Sequence, residues 1–381
     1  MDNKHQESSV GKQVKRDLDK TSTQARAARN ILVVGGYGNV GRTITKRLGT
    51  EFPGRVIVAG RNIQTARDFV RDVELEIIPM TLDVHKPDSL DDVLDEVGLV
   101  VMCVDQQGTD FVYKCIEYGI DYIDITASID LLEQLEALDN EARLSGSTVL
   151  LSVGLSPGLT NLLASYAQTR SRDANLLDIF ILLGLGDRHG DDAIQWTVKN
   201  LFADFWKQEN GKVHKRRNFE EYRETIFPGA IGARRAYRFN FSDQHTLMKT
   251  LNFDSASTWL CFDSAPATRM IAASTRSVTR RLLQTSWMQR ALVKLMKSIH
   301  IGADLFVLQV KVGREMNNGE PDYETAIMGR GEGRSTGIVA AKVAALAFRN
   351  QLPSGVFHIE QLIDAGFFLD DLQDDGFIWD R

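Results

Sequence analysis

The 381-residue chain has only three cysteines, Cys103, Cys115 and Cys261, and none stands in C-x-x-C spacing. That scarcity excludes a disulfide framework or a cysteine zinc site and fits a reducing compartment. Positive charge is not in excess either: 45 Lys and Arg against 51 Asp and Glu leave a formal net charge of −6. No overall field exists to draw in a phosphate backbone, so nucleic acid is not an expected partner. Apolar runs of the ~20 residues needed to span a bilayer are missing. The first 29 residues are rich in Lys, Asp, Gln, Ser and Thr and have no hydrophobic segment. They read as a disordered, solvated tail, and Asp2, Glu7, Asp17 and Asp19 count against an organelle address. The expected location is cytoplasmic.

Three enzyme signatures are also missing. No tyrosine is followed four residues later by lysine, which a short-chain reductase needs to lower a phenol pKa. Clustered Cys and His ligands for a catalytic zinc are absent, and so is the G-x-x-x-x-G-K-[ST] loop of phosphate-transferring enzymes. No metal is therefore expected.

What the chain does have is Ile31–Leu48, an apolar strand, a glycine turn and an amphipathic helix opening at about Asn39 with Val40, Ile44 and Leu48 on one stripe. Gly36, Gly38 and Gly41 fall in the G-x-G-x-x-G register of a dinucleotide-binding βαβ unit. Such a turn places phosphates on free amides at the positive end of a helix, so Tyr37, Asn39 and Val40 join the glycines as expected cofactor contacts. The second strand, Arg55 to Ala59, ends in Gly60-Arg61-Asn62. An acidic residue about 20 positions beyond the glycines usually holds the adenine ribose, and none stands at this turn. Arg61 instead offers a planar cation for a 2′-phosphate, so NADP is the expected cofactor, with NAD as the alternative. Asn62 belongs to the same turn.

The alternation continues with strands at Leu75–Ile78, Leu99–Val104, Tyr122–Ile125 and Thr148–Val153, and with helices near Asp88, at Phe111–Tyr118 and at Leu131–Leu144. Asp83 and Val84 lie where an adenine edge is read, although Asp83 serves equally well as a turn residue before a helix. Val104 and Asp105 end the fourth strand, at the edge that faces the ligand crevice in an open α/β sheet. The fold class is α/β: a Rossmann-type, doubly wound parallel sheet of six strands, with an inserted α+β substrate or dimerisation domain. Residues 30–160 and 331–381 are assigned to the dinucleotide-binding domain and 161–330 to the insertion.

The insertion shows strands at Leu177–Gly184, Tyr237–Phe241 and Leu305–Val312, a helix at Ile194–Phe202, and a hairpin signal at Asn210-Gly211. In Leu305–Val312 the alternation sets Leu308, Val310 and Val312 against Gln309 and Lys311, which suggests a half-exposed sheet and, through it, a homodimer. A basic amphipathic helix is expected at Val278–Ile299, with Leu283, Trp287, Ala291, Leu295 and Ile299 on its apolar stripe. Core or lid packing is preferred for it over a membrane surface. Ser335 or Thr336 is expected to cap a small-residue helix, with Ala340, Ala341, Ala344 and Ala345, that returns to cover the first sheet.

The segments VVGGYGNVG, VAGRN, VVMCV, FVYKCIEYGIDYIDIT and SVGLSPGLTNLLA together resemble the saccharopine dehydrogenase (saccharopine reductase) superfamily, and STGIVAAKVAALAF and GVFHIEQLI extend the resemblance weakly. The resemblance implies an NAD(P)-dependent oxidoreductase whose chain leaves the first domain beside the nicotinamide at Gly154–Asn161, including Ser156, Pro157 and Gly158. It also implies an active-site role for Lys114 and a nearby carboxylate. One departure is visible: the family's G-L-D-P-G reads Gly154-Leu155-Ser156-Pro157-Gly158, which counts against saccharopine itself as substrate.

The expected chemistry is hydride transfer between nicotinamide and a small polar, amino-acid- or imine-like molecule. Lys114, Asp124, Asp130 and His189 are the candidates to manage the proton. The alternative is a non-catalytic NADP-binding redox sensor or scaffold, because binding and catalysis share the glycines.

Overall fold

The computed structural model describes residues 29–86, 91–187, 191–201, 203–209, 212–276, 285–298, 302–314 and 320–381. The tail, His189 and Asn210-Gly211 lie outside them. In chain order the first strands are β1 (Asn30–Val34), β2 (Val56–Gly60), β3 (Ile77–Thr81), β4 (Val97–Met102), β5 (Asp121–Asp124) and β6 (Thr148–Leu151). Helix Leu159–Arg170 then leads to β7 (Leu176–Leu183), β8 (Asp204–Glu209), β9 (Lys212–Arg217), β10 (Tyr222–Phe227), β11 (Gly232–Arg238), β12 (Ser255–Phe262), β13 (Leu305–Gly313) and β14 (Tyr323–Arg330). Helix Glu332–Arg349 brings the chain back to β15 (Gly355–His358) and β16 (Ile378–Asp380).

The first sheet is parallel throughout and has seven strands in the order β15-β6-β5-β4-β1-β2-β3. The sequence implied six. β15, contributed by the carboxyl-terminal segment, is the seventh. Strand order reverses between β1 and β4, which opens a crevice at their carboxyl ends. Alternation along β1 sends Ile31 and Val33 to one face, with Ile44 and Leu48 of helix Gly41–Glu51, and Leu32 and Val34 to the other, with Phe111, Val112, Cys115 and Leu132. Both faces are therefore covered, as a parallel sheet requires.

The second sheet is mixed, ordered β10-β11-β12-β7-β13-β14-β16. One face packs on helix Leu159–Arg170 through Leu308, Val310, Leu162 and Leu163. The other is not half-exposed, contrary to the alternation of Leu305–Val312. β11 pairs β12 at only two positions, and the β10–β11 ribbon then folds across the sheet. Its Thr225 hydroxyl donates to Gln309 Oε1 at 2.9 Å, and Gln309 Nε2 donates to the Ile226 carbonyl at 3.0 Å, although β12 and β7 separate β11 from β13. Phe227 and Ala236 of the ribbon close over Phe180, Leu182, Trp259 and Val307.

Several boundaries differ from expectation. β3 begins two residues after Leu75 and β4 ends at Met102, which leaves Val104 in the following loop. A continuous apolar run has no internal phase to mark where a buried strand stops. Leu131–Leu144 is two helices, Ile129–Glu136 and Asp139–Ser145. The strand expected at Tyr237–Phe241 ends at Arg238. Near Asp88 the described helix is Asp91–Leu94. Of the expected helix Val278–Ile299, residues 278–284 and 299 lie outside the described residues; Ser286–Ser298 is helical, and the stripe residue Trp287 is 56% exposed. β8 and β9 pair with Glu209 opposite Lys212, as a two-residue hairpin turn requires. Segment 331–381 divides between the sheets, since β15 joins the first and β16 pairs with β14 in the second.

Helix Glu332–Arg349 starts before Ser335, which is buried and donates to the Arg330 carbonyl at 3.1 Å. Its small residues lie against helix Gly41–Glu51, where a Cβ on Gly337 would stand 2.6 Å from Thr43 Cβ. Gly337→Leu must therefore push the two helices apart. It is expected to cost about 1–3 kcal/mol by overpacking. A urea midpoint equal to the parent's would show that this contact does not matter.

Candidate functional site

The glycine turn is built for close approach. Gly35, at φ +74°, supplies the left-handed turn one residue ahead of the fingerprint, and Val104 packs where a Cβ on Gly35 would sit. A Cβ on Gly41 would fall 2.2 Å from the Gly35 carbonyl oxygen, so only glycine lets the helix start here. Buried Thr45 donates to the Gly36 carbonyl at 2.8 Å and locks the turn to the helix. The amides of Tyr37, Val40 and Gly41 have no hydrogen-bond partner among the described residues. These donors surround the positive end of helix Gly41–Glu51, which fits a pyrophosphate.

Arg61 is exposed at the end of β2. Asn62 is occupied as an N-cap, its Oδ1 accepting from the amides of Gln64 at 2.9 Å and Thr65 at 3.2 Å. Tyr37 folds over Gly60, and its hydroxyl accepts from the Asn62 amide at 3.1 Å. The bond from the Leu82 amide to the Gly60 carbonyl, 3.0 Å, carries Asp83 and Val84 to the same flank. There Asp83 Oδ1 accepts from the His85 amide at 3.2 Å, the turn role that the sequence left open.

Beyond the crevice, alternation on β5 points Tyr122 and Asp124 to one face. The Tyr122 hydroxyl donates to Asp124 Oδ2 at 2.7 Å, Gln106 Nε2 donates to the same oxygen at 3.0 Å, and the Thr126 amide donates to Oδ1 at 2.7 Å. Asp124 is buried. Burial pushes its pKa up to about 6, with help from the Asp105 charge and against the opposing hydrogen bonds of Tyr122, Thr126 and Gln106. Gln106 Oε1 is buried and accepts nothing. The Asp124 carbonyl accepts from the Val153 amide at 3.4 Å, which sets the end of β5 beside the loop that leaves β6.

Of the four proton-transfer candidates, His189 lies outside the described residues, and the other three differ in burial. Lys114 is half-buried on helix Asp110–Glu117, outside the buried stripe of Phe111, Val112, Cys115 and Ile116. Asp130 is exposed in the first turn of helix Ile129–Glu136. Asp124 is the one that the carboxyl ends of β4 and β5 enclose. Among the described residues no group of three His, Cys, Asp or Glu could hold a metal, and no helix is long and apolar enough to cross a membrane.

From Leu151 to Ala164 only Ser156 is not buried. Its hydroxyl donates to Asp243 Oδ2 at 2.6 Å, and the peptide bond to Pro157 is cis. Gly158 stands at φ +141°, with its amide on Asn161 Oδ1 at 3.0 Å. Asn161 Nδ2 donates to Glu360 at 3.0 Å. Ser152, at φ +58° just past β6, meets His358 Nδ1 at 2.7 Å, and His358 Nε2 meets Glu136 at 3.1 Å. Hydrogen bonds from His358 and Lys249 hold the Glu136 carboxyl below its usual range, although burial pushes it the other way. Tyr122, Asp243, His358 and Glu360 had no part in the sequence assignment. Only the Tyr122-x-Asp124 spacing on one strand face was a local sign.

Residues 31–150 match the family model described as the saccharopine dehydrogenase NADP binding domain. These residues form a saccharopine dehydrogenase-like nucleotide-binding domain. No curated protein matches it in sequence. Its fold is similar to apo saccharopine dehydrogenase (L-Glu forming) from Saccharomyces cerevisiae, with TM-score 0.61 and 15% identity over 93% of this chain and 99% of that one. It is equally similar to homospermidine synthase from Legionella pneumophila, solved in complex with NAD, with TM-score 0.61 and 11% identity over 91% and 89% of the two chains. At such identities the likeness establishes the fold. The matched segment spans β1 to the middle of β6, so it contains the glycine turn, Arg61 and Asp124 but not Ser156 or Asp243.

The raised pKa of Asp124 has a signed consequence for stability. A carboxyl held at about 6 when folded, against an ordinary 3.8, binds its proton more tightly in the native state. Its contribution is full below about pH 4 and is lost as pH rises through about 6, a change of about 3 kcal/mol. In Asp124→Asn that segment of the stability-versus-pH curve is expected to flatten. Parallel parent and variant curves in urea titrations from pH 4 to 7 would contradict the shift.

Proposed function

We propose that this chain is an NADP-dependent oxidoreductase of saccharopine dehydrogenase type that acts on a small polar, amino-acid- or imine-like molecule. The observation that carries the proposal is the alignment along one sheet edge of free turn amides at β1 and a buried carboxyl of raised pKa at β5. When bound, the nicotinamide cofactor supplies hydride transfer at C4. The amides of Tyr37, Val40 and Gly41 hold its pyrophosphate, Arg61 meets a 2′-phosphate, and residues 154–158 line the nicotinamide end. Asp124, titrating near 6, holds or releases the proton that accompanies hydride transfer, with Tyr122 and Gln106 fixing its orientation. Half-buried Lys114 on the neighbouring helix is the second candidate for that proton, and Asp130 and His189 follow it.

Fluorescence titration with NADPH and NADH tests the cofactor. Arg61→Ala is expected to weaken NADPH about tenfold or more, the loss of a charge-assisted bond to phosphate, and to leave NADH within about twofold. Equal losses for both cofactors would remove Arg61 from the 2′-phosphate site.

Asp124→Asn is expected to lower turnover by about 100-fold or more while NADPH still binds. Tight NADPH binding without oxidation by any amino acid or imine offered to the parent protein would favour the sensor reading instead. A homodimer through the mixed-sheet region now rests on exposed Trp206, Val213, Tyr222 and Ile226 of its two hairpins. A monomer mass in sedimentation at micromolar concentration would end that part of the proposal.

A further inference from the structure

Hydrogen-bond accounting at Ser156 assigns a polarity to the loop after β6. A serine hydroxyl has one proton to donate and two lone pairs. The Ser156 proton goes to Asp243 Oδ2 at 2.6 Å. Asp243 has no exposed surface. Its other partners are also donors: the Thr258 hydroxyl at 2.8 Å, the Gln244 amide at 2.8 Å, and the Thr160 side chain. A carboxylate surrounded by donors accepts from all of them. Ser156 is the one residue of this group that is not buried, and with its hydroxyl proton committed inward its oxygen has only lone pairs left to offer a ligand. Across the neighbouring strand ends the same sign recurs, with Gln106 Oε1 buried without a donor and Asp124 held by donors.

We propose that the Ser156–Asp243 pair is a specificity-determining subsite that accepts a protonated amine of the substrate. Asp243 acts through Ser156 as a positioning residue and sets which way the hydroxyl points. A carboxylate group of a substrate finds no donor at Ser156 and is disfavoured there. This inference rests on the oxidoreductase reading only for the identity of the neighbouring ligand.

The test uses the full chain with saturating NADPH and two probes of similar length that differ at one end, δ-aminovalerate and glutarate, each titrated by calorimetry. The parent is expected to bind δ-aminovalerate about tenfold more tightly than glutarate, one hydrogen bond to a charged group. In Ser156→Ala, checked for folding by circular dichroism, that ratio is expected to fall to within about twofold of one. In Asp243→Asn the new amide donates to Ser156 and turns its proton outward, so the preference is expected to shrink or reverse. A parent that prefers glutarate, or a Ser156→Ala protein that keeps the parent's ratio, overturns the subsite even if Asp243→Asn does not fold. Failure of NADPH to bind overturns the oxidoreductase reading instead, and the amine preference is then read on the protein alone.

Discussion

The close approach of helix Gly41–Glu51 to its own entry turn is the constraint on which the rest of the structure depends. A Cβ on Gly41 would stand 2.8 Å from Gly36 Cα as well as 2.2 Å from the Gly35 oxygen, so the helix begins in contact with bare backbone. In the tightly packed turn the amides of Tyr37, Val40 and Gly41 have no hydrogen-bond partner among the described residues. Helix Glu332–Arg349 closes the other side. A Cβ on Gly333 would meet Asn39 Nδ2 at 2.5 Å, and one on Gly337 would meet the Val40 carbonyl at 2.9 Å. The nucleotide turn is thus clamped between a helix that follows it directly and one that arrives some three hundred residues later. Such a non-local contact is slow to form and makes the turn's geometry a property of the whole fold.

A second dependence runs from helix Asp243–Thr250 in the second region to residues 152–161 at the edge of the first sheet. Asp243 receives Ser156 directly. Lys249 reaches Glu136 at 3.1 Å, Glu136 reaches His358, and His358 reaches Ser152. Thr250 donates to Glu360 at 2.5 Å, and Glu360 accepts from Asn161, whose side-chain Oδ1 accepts from the Gly158 amide. Three separate lines of polar contacts therefore begin on one short helix and end on one loop. Breaking a link to a buried member, such as that of Ser156 to Asp243 or of Asn161 to Glu360, leaves a buried group without its partner, which costs about 1–3 kcal/mol. Moving the helix disturbs all three lines together, so the loop and the mixed-sheet region are held as one unit.

The parts of this arrangement that were legible in the sequence are those with a local period or a local turn. The strand, turn and helix at residues 31–51 were visible because glycine spacing and an apolar stripe coincide. The small residues of Ser335–Phe348 announced a helix packed closely on another. The end of β4 slipped because an unbroken apolar run carries no mark of where pairing stops. The alternation of Leu305–Val312 was real but misleading: Gln309 is buried, with polar partners brought by a folded-over ribbon that no pattern in β13 reveals. Ser156 and Asp243 lie 87 residues apart, and Ser152 and His358 lie 206 apart. Pairings at that distance are products of topology, and single polar residues leave no periodic trace of them.

The two buried carboxyls at this edge are held by different sets of partners. Both lose hydration, and in both burial raises the pKa. Asp243 is met by the hydroxyls of Ser156, Thr258 and Thr160 and by the Gln244 amide, an arrangement that fixes the direction of every hydroxyl around it. Asp124 is met by two side-chain donors and one amide and also feels the Asp105 charge, which leaves it near 6. A shift of that size, about 3 kcal/mol at neutral pH, is a large share of the ~5–15 kcal/mol by which domains are stable. An ion pair could have removed the cost, yet Asp105 adds to it. A perturbed carboxyl at the carboxyl edge of a nucleotide-binding sheet is the feature on which the proposed proton exchange rests.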